Sequence, residues 1–263
     1  MKVTNMKDFP LNQALAVAVK AARAAGKVMR DNWLKPKRVK LDDAHDIKLE
    51  LDVRCQELIE KILRAAFPEI PLLGEEGDSG DVTAEYRWVV DPIDGTVNYF
   101  YGMPHAAVSI ALQRRGQSVV GVIYGPFTDE LWTTVRGEPT RLNGKIVRVS
   151  SRSNLADTVI AMGFSKDREN LEKTLPHLNR LARRVKKIRI MGSAALELAS
   201  VASGRLDAYI ERTINLWDVA AGQLLVENAG GEFYALPAPH GKLRMCASNG
   251  RLRQKLQIGS LLK

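Results

Sequence analysis

The chain has 263 residues, 45% hydrophobic and 26% charged, enough for one large domain or two small ones whose core needs no disulfide or zinc staple. Two distant cysteines, Cys55 and Cys246, sit in no CxxC pair. They exclude a disulfide framework or zinc knuckle and point to a reducing, cytoplasmic setting, since residues 1–9 lack a signal-peptide core and no apolar run reaches the roughly 20 residues of a membrane span. With 39 lysines and arginines against 30 acids, the net charge of +9 leaves an anionic substrate, RNA or plain surface solubility open.

Residues 11–33 read as a helix. Lys20, Arg23, Lys27 and Arg30 recur at three- and four-residue spacing on one solvated face, Leu15, Ala18, Ala22 and Met29 lie elsewhere, and Pro36 forbids continuation. A basic cluster follows: Lys35, Lys37, Arg38 and Lys40. Residues 47–51 are expected to be extended, and the alternation through Asp52 puts its side chain with Lys48 and Glu50. Residues 53–67 have helical periodicity, closed by Pro68 and Pro71.

Strand-like runs come next at 71–73, 86–90, 106–112, 119–124 and 131–135, with turn signals such as Arg115-Gly116 and Gly125-Pro126 between them. The short connections predict an antiparallel meander. The turn Asn143-Gly144 and the polar stretch to Asn154 mark the expected seam between two tightly packed α+β halves, 1–150 and 151–263. The second half alternates: strand 158–162, helix 168–183, strand 187–190, helix 193–202, strand 208–211, helix 219–228, then a strand near 243–247 and a helix at 250–257. A second basic cluster, Arg183, Arg184, Lys186, Lys187 and Arg189, has no interleaved aromatics of the kind a single-strand-binding surface uses.

Three acidic segments abut apolar runs that ought to be buried: LLGEEG at 72–77, WVVDPIDGT at 88–96 and LWDVAA at 216–221. Buried carboxylates require cations or several hydrogen bonds, and the flanks supply few lysines or arginines. A magnesium cluster would satisfy all three at once. Pro92 pushes Asp91 towards extended geometry, so a sharp turn could aim Asp91, Asp94 and the Ile93 carbonyl at one point. A helix starting at Gly95-Thr96 would bring anion-binding amides to the same place. Taken singly, the segments also read as a turn with an N-cap at Asp91 and Asp94, a solvated loop at Glu75-Glu76, and an N-cap at Asp218.

In this order the segments resemble the inositol monophosphatase family of lithium-sensitive, magnesium-dependent phosphatases. WVVDPIDGTVNYF (88–100) and WDVAAGQLLVENAGG (217–231) carry the resemblance, which spans nearly the whole chain. It implies a layered αβαβα sandwich and in-line hydrolysis of a phosphate monoester by activated water, without a phosphoenzyme. By the same resemblance Glu75, Asp91 and the carbonyl of Ile93 hold one magnesium ion, and Asp91, Asp94 and Asp218 a second. A third shares Glu75, with Glu76 close by. Asp52 and Thr96 position and deprotonate the attacking water, and the amides of Gly95 and Thr96 hold phosphate oxygens. Gly192, Ser193, Ala194 and Glu211 line the alcohol side together with Asp94 and Asp218.

The substrate implied first is inositol 1-phosphate. Relatives act on fructose 1,6-bisphosphate, histidinol phosphate, phosphoadenosine phosphate or NADP, some bacterial members bind RNA or transcription complexes, and a homodimer is suggested. Asn228 stands where the family usually has glutamate, Val97 where threonine or lysine is frequent, and the loop 77–83 is short. His105 reads as structural.

Overall fold

A computed structural model describes residues 9–42, 47–163 and 168–256. Helix α1 (Leu11–Asp31) leads to a short antiparallel pair, β1 (Val39–Asp42) and β2 (Ile47–Leu49), and then to α2 (Glu50–Ala66). β3 (Leu72–Gly74) runs parallel to β4 (Tyr86–Asp94). After the short helix α3 (Thr96–Phe100), the first sheet continues antiparallel through β5 (Ala107–Arg114), β6 (Gln117–Gly125), β7 (Glu130–Val135), β8 (Arg141–Leu142) and β9 (Lys145–Ile146). The second sheet is built from β10 (Val159–Gly163), α4 (Arg168–Ala182), β11 (Lys187–Arg189), α5 (Ala194–Ala202), β12 (Ala208–Ile214), α6 (Leu216–Asn228), β13 (Glu232–Pro237), β14 (Leu243–Ser248) and α7 (Arg253–Leu256). Its strand order is β11-β10-β12-β14-β13, parallel among β10, β11 and β12 and antiparallel beyond.

The period-2 rule of strands explains the layers. On β4, Trp88 and Val90 face one core with α1 and α2, whereas Val89 faces another with α5 and α6. That second core also takes Ala161, Tyr209, Met245 and Ala247 from the second sheet, while Ile160, Met162, Ile210 and Cys246 turn to a third with Leu181 and Leu256. The result is helix, sheet, helix, sheet, helix, the sandwich expected. Both faces of β4 are covered, so its sequence is a nearly unbroken apolar run rather than an alternating one. An alanine stripe on α1 (Ala14, Ala18, Ala21, Ala25) is fully enclosed against this sheet. Three hydroxyls, Ser109, Ser118 and Thr140, donate to carbonyls of α6 at 3.4, 2.8 and 2.7 Å and tie it to the first sheet.

Three expectations need correction. Residues 50–52 do not extend the strand. They form the first turn of α2, and the Leu49 N–H donates to Asp52 Oδ2 at 3.0 Å, satisfying an amide at the helix start. β3 joins the meander in parallel, and β13 was not anticipated at all. Gln257, at the end of the last expected helix, lies outside the described residues. The seam turn Asn143-Gly144 is a two-residue hairpin between β8 and β9, both residues with positive φ (46° and 80°), as Asn-Gly favours. No helix among the described residues is long and apolar enough to cross a membrane.

Candidate metal and phosphate site

Parallel pairing of β3 with β4 brings their carboxyl ends together: Gly74 sits opposite Val90, and the Glu75 N–H donates to the Val90 carbonyl at 3.2 Å. Glu75 is therefore delivered beside Asp91. The β4–β5 ladder shifts register between Asp91 and Asp94, where Pro92 removes a donor. In this irregular stretch the Ile93 N–H turns back to Asp91 Oδ1 at 3.0 Å. Asp218 arrives from the first turn of α6, its Oδ2 accepting from the Asn215 N–H at 2.8 Å. Carboxylate oxygens of Asp91, Asp94 and Asp218 lie within 4.8 Å of one another.

Asp94 is held by the start of α5. The Ala194 and Ala195 N–H groups donate to it at 3.2 and 2.8 Å, and the Ser193 hydroxyl donates as well. Ser193 also accepts from the Leu196 N–H as the N-cap of that helix. Gly95 has φ of 92°, and a Cβ there would stand 2.9 Å from the His105 carbonyl oxygen. Only glycine makes this turn without strain. The Thr96 hydroxyl lies 2.9 Å from Asp52 Oδ1 and 2.8 Å from the Ile93 carbonyl. Its single proton serves one acceptor at a time.

Burial, first of all, raises the pKa values of this cluster. Asp94 is pushed to about 6, and Asp52 and Asp218 to about 7. Glu75 rises to about 8, with the Asp218 charge adding to burial. Asp91 is raised well above the carboxylate range by burial and then by Glu75, Asp94 and Asp218. Among the described residues no lysine or arginine forms an ion pair with Asp91, Asp94, Asp218 or Glu75. Glu76 differs: Lys48 Nζ pairs with its Oε1 at 3.3 Å. The donor set is all oxygen, with neither thiolate nor imidazole, and its crowding is what a hard divalent cation relieves. The residues fit magnesium.

The cavity over the cluster measures about 340 Å³ and is lined by Glu75, Asp91, Ile93, Asp94, Gly95, Thr96, Gly192, Ser193, Ala194, Glu211 and Asp218, among others. All the expected residues meet here except Asp52, which stands behind Thr96, and Glu76, which stands beside Lys48. Three contributors were not anticipated. Gln56 donates from Nε2 to the Gly77 carbonyl at 2.8 Å and accepts from the Glu76 N–H at 3.0 Å, clamping the acidic loop. Asn98 Nδ2 reaches the carbonyls of His105, Met191 and Gly192 at 2.9, 2.7 and 3.2 Å and so fixes the approach to α5. Glu197 lines the cavity at about 9, raised by burial and then by Glu211. An acid inside the apolar run Ala194–Ala202 was the signal for it. Glu211, at about 8, is raised by burial while accepting from the Tyr209 hydroxyl. Asn228, the departure noted above, donates to Thr134 Oγ1 and the Val135 carbonyl at 2.7 and 2.8 Å, away from the cavity.

A model of the inositol monophosphatase family matches residues 11–256. Inositol monophosphatase 2 of Solanum lycopersicum is 39% identical over 229 residues, covering 84% of this chain and 86% of that protein. Nus factor SuhB of Xylella fastidiosa is 42% identical over 234 residues, with 86% and 84% covered. The crystal structure of the extragenic suppressor protein suhB from Bartonella henselae superposes with a TM-score of 0.88 at 35% identity, covering 95% of this chain and 99% of that one. The chain belongs to the inositol monophosphatase family, a family of phosphoric monoester hydrolases.

Proposed function

We propose that the protein hydrolyses a small phosphate monoester, inositol 1-phosphate or a similar polyol phosphate, with magnesium bound in the acidic cluster. The observation that carries this reading is the convergence of Asp91, Asp94 and Asp218 in one cavity without a paired lysine or arginine. Glu75, Asp91, Asp94, Asp218 and the Ile93 carbonyl would hold the ions, with Glu76 beside them. A divalent cation there supplies a water of lowered pKa and screens charge on the phosphate and leaving oxygen.

The chain's own groups do the rest. Thr96 Oγ1 orients the attacking water, and Asp52, reached through that hydroxyl, accepts its proton. Amides of Gly95 and Thr96 receive phosphate oxygens. Gly192, Ser193, Ala194 and Glu211 form the wall for the alcohol, while Ser193 and the start of α5 keep Asp94 aimed.

The test is phosphate release from the purified protein with magnesium, with and without lithium, across inositol 1-phosphate, fructose 1,6-bisphosphate, histidinol phosphate, phosphoadenosine phosphate and NADP. Turnover of polyol or sugar phosphates that lithium inhibits is expected. Turnover of a nucleotide alone would defeat the polyol assignment.

A second reading adds RNA. Arg183, Arg184, Lys186, Lys187 and Arg189 are all exposed, along the end of α4 and the edge strand β11. Binding through them would weaken steeply with salt, and no mobility shift on RNA at low salt would remove the idea. Independently of RNA, the phosphatase reading takes the protein to be a cytoplasmic homodimer; a sedimentation mass of a single chain would exclude the dimer.

A further inference from the structure

The floor of the cavity is acidic, but two branched apolar side chains stand at its mouth. Val97 and Ile190 line the cavity and remain 42% and 56% exposed. The other branched apolar residues of the lining, Ile93 and Ile214, are buried. Single exposed hydrophobics need no explanation; adjoining ones at the mouth of a polar cavity mark surface that a ligand covers.

The fold sets the two side by side. Val97 is the second residue of α3, and Ile190 follows the end of β11. Asn98, next to Val97, donates to the carbonyls of Met191 and Gly192 at 2.7 and 3.2 Å, which ties the two segments together just beyond Ile190. Gly95 and Gly192, both with positive φ, close the same junction: a Cβ on Gly95 would stand 3.1 Å from the Gly192 carbonyl oxygen. Tyr101 comes one turn after Val97, its N–H donating to the Val97 carbonyl at 3.1 Å, and is 70% exposed. Residues four apart share a helix face, so the apolar strip runs on outward from the cavity. The wall that meets the alcohol is otherwise polar: the Tyr209 hydroxyl donates to Glu211, and Glu197 Oε1 accepts from the Met191 N–H at 3.1 Å.

We infer that Val97 and Ile190 form an apolar lip that selects the alcohol: the leaving group carries a hydroxylated edge for Glu211 and, beside it, an apolar or aromatic face that packs on the lip. The inference rests on the phosphatase reading above and narrows its substrate class to phosphate monoesters of such amphipathic alcohols. One methylene of contact in an apolar pocket changes kcat/KM by roughly 10–200-fold. A lip open to water on one side works at the lower end of that range.

The experiment compares glycerol 2-phosphate with its 1-O-benzyl ether, which share the leaving oxygen and differ by an apolar ring. Both are given with magnesium to the whole protein, to Val97→Thr, to Ile190→Thr and to the double variant. Leu236→Thr, which alters an exposed leucine on β13 outside the cavity, is the control. The wild type should favour the ether in kcat/KM by about tenfold, chiefly through KM. Each single variant should lower that preference, the double variant should abolish it, and Leu236→Thr should keep it. The altered side chains are exposed, so the variants keep the fold, which melting checks. If neither ester is hydrolysed, the phosphatase reading fails; calorimetry of the two esters on the magnesium-treated protein then decides the lip, by the same difference in affinity and its loss in the double variant. No preference in the wild type, or a preference that the double variant keeps, overturns the inference. So does a double variant that changes only the sedimentation mass, because the lip would then belong to a second copy of this chain.

Discussion

Asp91 is 2% exposed and shares its surroundings with Glu75, Asp94 and Asp218, so in the cation-free protein every ionisation there works against several others. Asp91→Asn removes one of these charges. Activity should fall about a thousandfold, some 4 kcal/mol of barrier, because a ligand to the activating cation is lost. The melting temperature of the EDTA-treated variant should not fall, since an amide costs less to bury here than a crowded carboxyl. Turnover within tenfold of wild type would remove Asp91 from the ligand set. Gln56 tests the support behind the cluster. Gln56→Ala leaves the Glu76 N–H and the Gly77 carbonyl without their partner, at a cost of about 1–3 kcal/mol in urea unfolding, and should weaken magnesium binding as the acidic loop loosens. Unchanged magnesium affinity by calorimetry would show that the loop holds its shape without the clamp.

At the scale of elements, the junction between β4 and α5 sets the geometry of the site. Ser193 caps α5 and donates to Asp94, so Ser193→Ala should cost about 1 kcal/mol or more in stability and let the Asp94 carboxylate swing. A loss of activity larger than the loss of stability explains would mark Ser193 as a positioning residue; activity changing only in step with stability would leave it a plain cap. The same junction shows why some of the site was legible in sequence and some was not. Asp91-Pro92-Ile93-Asp94-Gly95-Thr96 encodes its own turn: proline, a left-handed glycine and acids at fixed spacing are local features. Asp52 was placed on a strand because residues 47–52 alternate, whereas the helix takes over at Glu50 with Leu49, a residue without a capping side chain, before it. Gln56, Lys48 and, in its bonds to Met191 and Gly192, Asn98 act over 20 or more residues of separation, and nothing in their own neighbourhood announces those partners. β13 escaped notice because it is an edge strand whose end, Ala235 to Pro237, is exposed and without alternation.

Across the described residues, seven carboxyls on five elements and one loop, four of them buried (Asp52, Asp91, Asp94 and Glu197) and three partly buried (Glu75, Glu211 and Asp218), are shifted in one direction, upward, and this gives stability a definite dependence on pH. In the unfolded chain they lose their protons near 3.8 to 4.5; in the folded, cation-free protein those given values hold them to between about 6 and 9. Between these limits the folded state carries more protons than the unfolded one, so stability is greatest below the unfolded pKa and is lost as pH rises through the folded values. Each proton of difference is worth about 1.4 kcal/mol per pH unit, roughly 2–4 °C in a chain of this size. The EDTA-treated protein should therefore melt several degrees lower at pH 8 than at pH 5.5. A divalent cation competes with those same protons at Glu75, Asp91, Asp94 and Asp218, so added magnesium should raise the melting temperature much more at pH 8 than at pH 5.5. Calorimetric melting in matched buffers with EDTA or magnesium decides it. A metal-free melting temperature that climbs with pH, or a magnesium shift of equal size at both pH values, would mean the carboxyls do not share their charge as their positions demand.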